Sequence, residues 1–439
     1  MKIFSLALTG VTLTALAVLP AAPASAKAPA KPHDFNGDGR TDLVVNGPTS
    51  VKRGQIGPGI VAIAYGKTGR KQVITRDSAG VSSIDHGDGF GEFTASADFD
   101  RDGYADLAVT GPEEDGVTIV YGSKKGLSKR VAFLPTPSPQ PEPPYSALAV
   151  GDFDRDGRAD LVATVRNRYW IFSKVDKGKK PTSRTGDVVD RANDTNYRPN
   201  RLFPAAGDFT GDGRDDLVLG NDHNTQARLL KNSAAGLTAP VPVSGLTGIQ
   251  KLAVGDLDGD GRDDLVSSYW GSVQIRMGRP SGFAKTKTLN GRSPGIPLTG
   301  QRHTLGTSLA VGDINRDGKD DLAIGASSAG AKQSGQVVVL YGHKNGVTTK
   351  RAQVFSQKNK GLKASAESGD QFGSAVRLVD LTGDRRLDLV IGSSGENRTT
   401  GRLYVLAGKK GRITTVGAKQ YKPKDFGLGG TRLGALLLP

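Results

Sequence analysis

The chain has 439 residues with 60 glycines, a 36 % hydrophobic fraction and no cysteine, which excludes disulfides, thiolate catalysis and a cysteine-linked lipid anchor. Its net charge of +15 suits a polyanionic partner, such as an acidic polymer of a cell wall, and serves solubility equally well. Because the basic residues are spread along the whole chain rather than clustered, we expect no nucleic-acid partner.

The N-terminus has the pattern of a secretory signal peptide. Lys2 precedes the apolar residues 3–19, and residues 24–26 (Ala-Ser-Ala) form a small-residue cleavage site. The apolar run is too short for a membrane helix. The sequence therefore predicts a signal peptide over residues 1–26 and one extracellular domain over residues 27–439. We expect no integral membrane segment and at most a loose association with a cell wall.

One nine-residue pattern recurs seven times along this domain. It has Asp at position 1, Asp, Asn or Thr at position 3, Asp at position 5, Gly at position 6 and Asp at position 9. The copies, called loops 1 to 7 below, start at Asp34, Asp98, Asp152, Asp208, Asp256, Asp313 and Asp380. Each is flanked by short alternating or β-branched apolar runs and glycine turns, which predict four strands per unit. The predicted fold is an all-β, seven-bladed β-propeller.

The two ends of the chain complement each other. Almost no strand precedes loop 1, whereas residues 428–436 are similar to residues 305–311, which precede loop 6, and no loop follows them. We therefore predict that the C-terminal strand supplies the first strand of the first blade and closes the ring; a truncated eighth repeat is the alternative. Residues 174–200 are charged and strand-poor, which predicts a long surface loop.

The loop residues are oxygen donors of the kind that calcium prefers. Side chains at positions 1, 3, 5 and 9 and the carbonyl of position 7 can converge because glycine at position 6 permits a sharp turn. Two carboxylates ~4 Å apart repel by about 4 kcal/mol at an intermediate dielectric, so four of them need a cation. An aspartate-rich turn without metal is the alternative. An EF-hand is excluded because position 12 is mostly apolar and no helix follows.

The candidate ligands follow from these positions. They are Asp34, Asn36, Asp38 and Asp42 in loop 1; Asp98, Asp100, Asp102 and Asp106 in loop 2; Asp152, Asp154, Asp156 and Asp160 in loop 3; Asp208, Thr210, Asp212 and Asp216 in loop 4; Asp256, Asp258, Asp260 and Asp264 in loop 5; Asp313, Asn315, Asp317 and Asp321 in loop 6; and Asp380, Asp384 and Asp388 in loop 7. We expect strong Ca²⁺ sites in loops 1, 2, 3, 5 and 6 and a weaker one in loop 4. Loop 7 is degenerate because it has Thr382 at position 3 and Arg385 in place of glycine.

The units resemble FG-GAP repeats, which occur in the N-terminal propeller of integrin α chains and in many bacterial secreted proteins. The resemblance is carried by Phe90-Gly91 and Phe372-Gly373 before loops and by Asp106-Leu107-Ala108-Val109 and Asp321-Leu322-Ala323-Ile324 after them. It implies that calcium lies in the loop joining the first two strands of a blade. It also implies that ligands meet the opposite face. There the candidate contacts are Arg166, Arg168, Tyr169, Tyr269 and Trp270.

Three functions are consistent with this reading. The first is a non-catalytic propeller for adhesion or protein recognition, the second a lectin-like propeller that binds a glycan, and the third a polysaccharide lyase or hydrolase. No G-x-S-x-G or H-E-x-x-H motif occurs and no histidine pair has ligand spacing, so no catalytic residue is assigned and enzymatic activity is not expected. The expected partner is an extracellular protein, a glycan or an anionic polymer, and the expected state is a monomer.

Overall fold

The structure is a computed structural model. It describes residues 28–47, 59–76, 90–110, 116–136, 146–165, 167–187, 202–222, 226–300, 304–362, 365–428 and 433. The signal peptide predicted over residues 1–26 lies outside these ranges. Among the described residues, no helix is long and apolar enough to cross a membrane.

The strands form seven antiparallel blades arranged in chain order. Blade 1 contains β1 (Leu43–Gly47), β2 (Ile60–Ala64) and β3 (Lys71–Thr75); blade 2 contains β4 (Phe93–Ala97), β5 (Asp106–Thr110), β6 (Gly116–Val120) and β7 (Val131–Pro135); blade 3 contains β8 (Ser146–Gly151), β9 (Asp160–Val165), β10 (Arg168–Ser173) and β11 (Thr182–Asp187). Blade 4 contains β12 (Leu202–Gly207), β13 (Asp216–Asn221), β14 (Gln226–Leu230) and β17 (Val241–Thr247), with a small hairpin of β15 (Asn232–Ser233) and β16 (Gly236–Leu237). Blade 5 contains β18 (Lys251–Gly255), β19 (Asp264–Tyr269), β20 (Ser272–Arg276) and β23 (Lys287–Asn290), with a hairpin of β21 (Gly278–Arg279) and β22 (Gly282–Phe283). Blade 6 contains β24 (Ser308–Gly312), β25 (Asp321–Ala326), β26 (Gln336–His343) and β27 (Gly346–Phe355); blade 7 contains β28 (Phe372–Val379), β29 (Asp388–Ser393), β30 (Arg402–Lys409) and β31 (Arg412–Tyr421). A four-residue α-helix, α1 (Glu396–Thr399), and short 3₁₀ turns at Ala331–Gln333 and Pro423–Phe426 complete the described elements.

The core consists of seven apolar clusters, one between each pair of neighbouring blades. Successive side chains of a strand point to opposite blades, so both sets are buried. In β9, Leu161 and Ala163 pack toward blade 2, whereas Val162 packs toward blade 4. This explains why the second strand of each blade contains consecutive apolar residues rather than an alternating pattern. Loops 2 to 7 each join the first, innermost strand of a blade to the second, and loop 1 precedes the corresponding strand β1, so all seven loops lie on one face.

The ring closes between blades 7 and 1. Leu433 is fully buried among residues of both blades, and its backbone forms a parallel bridge with Gly401. Phe372 forms the same bridge with Gly335 where blade 7 follows blade 6. Leu433 therefore occupies the position at which a first strand begins, as the predicted closure requires. The strand proposed to follow it, residues 434–436, lies outside the described residues.

One prediction is wrong. Residues 174–200 were expected to be a long surface loop, but β11 (Thr182–Asp187) lies within this interval and pairs in register with β10. The strand is the outermost of its blade and exposes nearly every residue, so its formation depends on backbone pairing and it has no apolar pattern. The turn at residues 174–179 consequently lies on the loop face, not on the opposite face.

Candidate metal centres

The seven loops share one backbone conformation, illustrated by loop 2. Asp98 at position 1 accepts hydrogen bonds from the N–H groups of Asp102 at 3.1 Å and Gly103 at 3.0 Å. This wrapping requires left-handed backbone at positions 4 and 6, with φ of 56° at Arg101 and 85° at Gly103. Loop 7 keeps the conformation although Arg385 replaces the glycine, since Arg385 has φ of 63°. Its sequence degeneracy therefore strains the backbone without unfolding the turn.

The aspartate at position 9 ties each loop to the third strand of its blade. Asp106 accepts the N–H of Phe99 at 3.0 Å with one carboxylate oxygen and the N–H of Gly122 at 2.8 Å with the other. Corresponding bonds occur at Asp42, Asp264, Asp321 and Asp388. The residue is buried in all seven loops, which places one carboxyl group beneath each site.

Burial makes these carboxylates costly to ionise without a cation. The pKa of Asp106 is raised to about 8, mainly by burial and also by the neighbouring Asp100 and Asp98 carboxylates, against the opposing effect of the backbone hydrogen bonds. Burial likewise raises the pKa of Asp42, Asp264 and Asp321 to about 7, and of Asp160, Asp216 and Asp388 to about 6. A bound divalent ion would remove this penalty.

Three loops bring together carboxylate oxygens in a way that fits a divalent ion. One oxygen from each of three aspartates lies within 4.8 Å of the others in loop 2 (positions 1, 3 and 9), loop 3 (positions 1, 3 and 9) and loop 5 (positions 1, 3 and 5). Asp152 Oδ1 and Asp258 Oδ1, in loops 3 and 5, are buried and have no hydrogen-bond partner among the described residues. Hard oxygen donors with unsatisfied lone pairs are what calcium coordinates. In loops 1 and 6 the position-3 amides of Asn36 and Asn315 instead donate to position 5, at 3.0 and 3.1 Å.

A second set of aspartates, at position 8, links neighbouring loops. Asp215, Asp263 and Asp320 accept the position-1 N–H of the preceding loop, from Asp152 at 2.7 Å, Asp208 at 2.9 Å and Asp256 at 3.0 Å. This role was not predicted from the sequence. The signal was present as three consecutive Asp-Asp doublets, but only the packing of blades shows that the first member of each doublet points to the neighbouring loop.

On the face opposite the loops, the residues predicted as contacts differ in exposure. Trp270 is 75 % exposed at the turn between β19 and β20. Arg168 is half-exposed and pairs with Asp187 at 2.7 Å. Tyr169 and Tyr269 are only partly exposed. Arg166 lies outside the described residues. Of the four candidates that the structure describes, Trp270 therefore offers the largest free surface.

A cavity of about 520 Å³ lies on the ring axis, lined by the first strands of blades 2, 3, 4, 5 and 7. Beside it, Arg377 Nη2 lies 2.7 Å from His33 Nδ1. Both side chains are buried, which lowers the pKa of Arg377 to about 10 and holds the pKa of His33 well below its usual value, with the Arg377 charge lowering the latter further.

Comparisons with known proteins agree with this architecture. The FG-GAP repeat profile matches residues 305–340 and 372–406, and the FG-GAP-like repeat profile matches residues 98–163 and 208–267. This chain is an FG-GAP repeat β-propeller. Human integrin alpha-8 is 30 % identical over 354 residues, which are 70 % of this chain and 31 % of the integrin. Integrin alpha pat-2 of Caenorhabditis briggsae is 32 % identical over 250 residues, 56 % of this chain and 17 % of that protein.

The FG-GAP propeller thus spans about a third or less of the length of these integrin relatives. Among solved structures, an Agrocybe aegerita lectin described as recognising non-reducing terminal N-acetylglucosamine superposes with a TM-score of 0.61. The match covers 89 % of this chain and 93 % of the lectin at 16 % identity, so it shows a shared fold alone.

Proposed function

We propose that this chain is a secreted, calcium-stabilised propeller that acts without catalysis in adhesion or protein recognition. Similarity to integrin α chains supports a recognition role, and the oxygen-rich loops support calcium as a structural ion. The loops would hold calcium through the residues named above, and the ion would neutralise carboxylates that otherwise repel. Because all seven blade interfaces lie within one chain, a monomer can form the complete ring.

The observation that carries the recognition role is the conformation of Trp270. It occupies the first position of a two-residue hairpin turn, since Tyr269 pairs with Ser272, and its φ is 39°. Asparagine or glycine is favoured there, and a bulky residue with positive φ costs roughly 1 kcal/mol. The Ser272 hydroxyl donates to the Tyr269 carbonyl at 2.7 Å and stiffens the turn. A strained, exposed aromatic on a rigid support indicates selection for binding.

The test compares wild type with Trp270→Asn, which suits the turn but removes the indole. The control is Phe133→Thr, which removes another exposed aromatic from the outer strand of blade 2. Binding of each protein to a panel of purified extracellular-matrix proteins would be measured by biolayer interferometry in calcium. We expect Trp270→Asn to lose binding at least tenfold and Phe133→Thr to retain it. Equal binding by all three proteins would refute the role of this face.

A glycan ligand is the second candidate. An exposed tryptophan can stack on a sugar ring, and a lectin shares the fold. The net charge of +15 would favour acidic glycans or other anionic polymers. A glycan array probed with the same three proteins separates this candidate from the first. Glycan binding that disappears in Trp270→Asn supports a lectin. If none of the three proteins binds a glycan, protein recognition is the supported function.

A further inference from the structure

In loop 2, a lysine from the next blade contacts two carboxylates of the candidate metal site. Lys177 Nζ lies 2.9 Å from Asp100 Oδ2 and also hydrogen-bonds Asp102 Oδ2. These are positions 3 and 5, two of the four candidate metal ligands. The same ammonium lies 5.1 Å from the centroid of the Tyr121 ring in blade 2. Lys177 thus places a positive charge against the carboxylates that would hold the ion.

The turn that carries Lys177 is firmly held. It joins β10 to β11, and Val175 within it is buried in the interface between blades 2 and 3. The Asp176 carboxylate forms an ion pair with Arg158 at 2.6 Å, and the Asp176 backbone N–H donates to the Lys174 carbonyl at 2.8 Å. The lysine is therefore presented to loop 2 by a packed turn rather than by a free surface chain.

The Lys177 contact lies at the junction between loops 2 and 3. Loops 4, 5 and 6 are each linked to the preceding loop by the carboxylate at position 8. In loop 3 that position is Ala159, which has no acceptor side chain. At this junction Lys177 connects blade 3 to loop 2, and Arg101 of loop 2 donates to the Gly157 carbonyl of loop 3. A cationic link thus stands at one of the four junctions without an aspartate link, since position 8 is also non-acidic in loops 1, 2 and 7 (Thr41, Ala105 and Leu387).

We propose that the Lys177 ammonium is a built-in counter-cation of loop 2, which a divalent ion must displace in order to bind there. The inference rests on the proposed calcium binding. Lys177 neutralises part of the loop-2 charge when metal is scarce and holds blades 2 and 3 together. When calcium rises, the ion competes with the ammonium for Asp100 and Asp102. Loop 2 is consequently a weaker calcium site than loop 3, although both have aspartates at all four ligand positions.

Terbium is a suitable probe because it replaces calcium and is sensitised by a nearby tyrosine. Tyr121 lies beside loop 2 and Tyr104 is position 7 of that loop, so the signal lost in the double variant Tyr104→Phe/Tyr121→Phe defines the loop-2 contribution. Lys177→Met would be compared with Lys179→Met, a variant of a lysine in the same turn that pairs only with Asp176 among the described residues. Circular dichroism and thermal melting in calcium verify that each variant is folded. If Lys177→Met does not fold, Lys177→Gln is measured in its place.

We expect the loop-2 signal of Lys177→Met to saturate at about tenfold lower terbium than that of wild type, because one competing ion pair is removed. Lys179→Met should match wild type. A loop-2 midpoint unchanged in Lys177→Met, or no loop-2 signal in either protein, overturns the inference. Calorimetric calcium binding by the remaining loops reports separately on the proposed function, so that failure of one is distinguishable from failure of the other.

Discussion

Asp263 and Asp208 form a two-way link between loops 5 and 4. The Asp263 carboxylate accepts the Asp208 N–H at 2.9 Å, and the Asp263 N–H donates to the Asp208 carbonyl at 3.0 Å. Burial raises the pKa of Asp263, with the neighbouring Asp215 and Asp208 charges adding to the effect. The side chain is therefore useful as a hydrogen-bond acceptor and costly as a charge.

This link predicts opposite results for two substitutions of Asp263. Asp263→Ala leaves the Asp208 N–H without its acceptor and should lower the free energy of unfolding by about 1–2 kcal/mol. Asp263→Asn keeps a carbonyl acceptor and removes the charge, so it should be neutral or stabilising in metal-free protein. Urea unfolding followed by fluorescence measures both. A greater loss in Asp263→Asn than in Asp263→Ala would show that the charge, rather than the acceptor, matters.

The second prediction concerns pH. Burial raises the folded-state pKa of Asp106 to about 8 and of Asp42, Asp264 and Asp321 to about 7, above the unfolded value near 4. Between pH 4 and 8 the folded metal-free protein binds more protons than the unfolded chain, so its stability falls as pH rises. The melting temperature of metal-free protein should thus be higher at pH 5.5 than at pH 8.

Calcium should reverse this trend because it binds the deprotonated carboxylates. The stabilisation by calcium should be greater at pH 8 than at pH 5.5. Differential scanning fluorimetry at the two pH values, with metal-free and calcium-loaded protein, tests both statements. If the melting temperature depends on pH in the same way with and without calcium, the carboxyls with raised pKa values do not bind the ion, and the prediction is wrong.

The third prediction concerns ring closure at Gly401. A Cβ there would lie 2.1 Å from the Leu433 carbonyl oxygen, and φ is 81°. Gly401→Ala should therefore lower the free energy of unfolding by about 3 kcal/mol or more, because the steric clash adds to the cost of the positive φ. Gly417 is the matched control because its φ is 77° and no atom lies within 4 Å of its hypothetical Cβ. Gly417→Ala should cost about 1 kcal/mol for the backbone alone. Equal melting temperatures of the two variants would refute the close approach.

The fourth prediction concerns the strained turn at Trp270. Trp270→Asn replaces a bulky residue with φ of 39° by one that tolerates this region, so metal-loaded protein should melt at the same temperature as wild type or slightly higher. Thermal melting of the two proteins side by side tests this. A clearly lower melting temperature in Trp270→Asn would mean that the indole serves packing rather than recognition.

Repetition made the architecture predictable from the sequence. Seven spaced loops and the runs beside them indicated the blades, and the ends of the chain indicated how the ring closes. The outer strands were harder: β11 is polar, pairs through its backbone and has no pattern to detect. The contact of Lys177 with Asp100 joins residues 77 positions apart in different blades, so it follows from blade packing and not from any motif.

The central claim is that divalent ions in the loops stabilise the propeller, and scanning calorimetry of metal-free protein titrated with calcium tests it most directly. Extracellular sites of this type bind at roughly 10⁻⁴ to 10⁻³ M, so the melting temperature should rise steadily through that concentration range, and more with calcium than with magnesium. The same melting temperature in chelator and in 10⁻² M calcium, a concentration on the order of ten times the weakest expected dissociation constant, would contradict it.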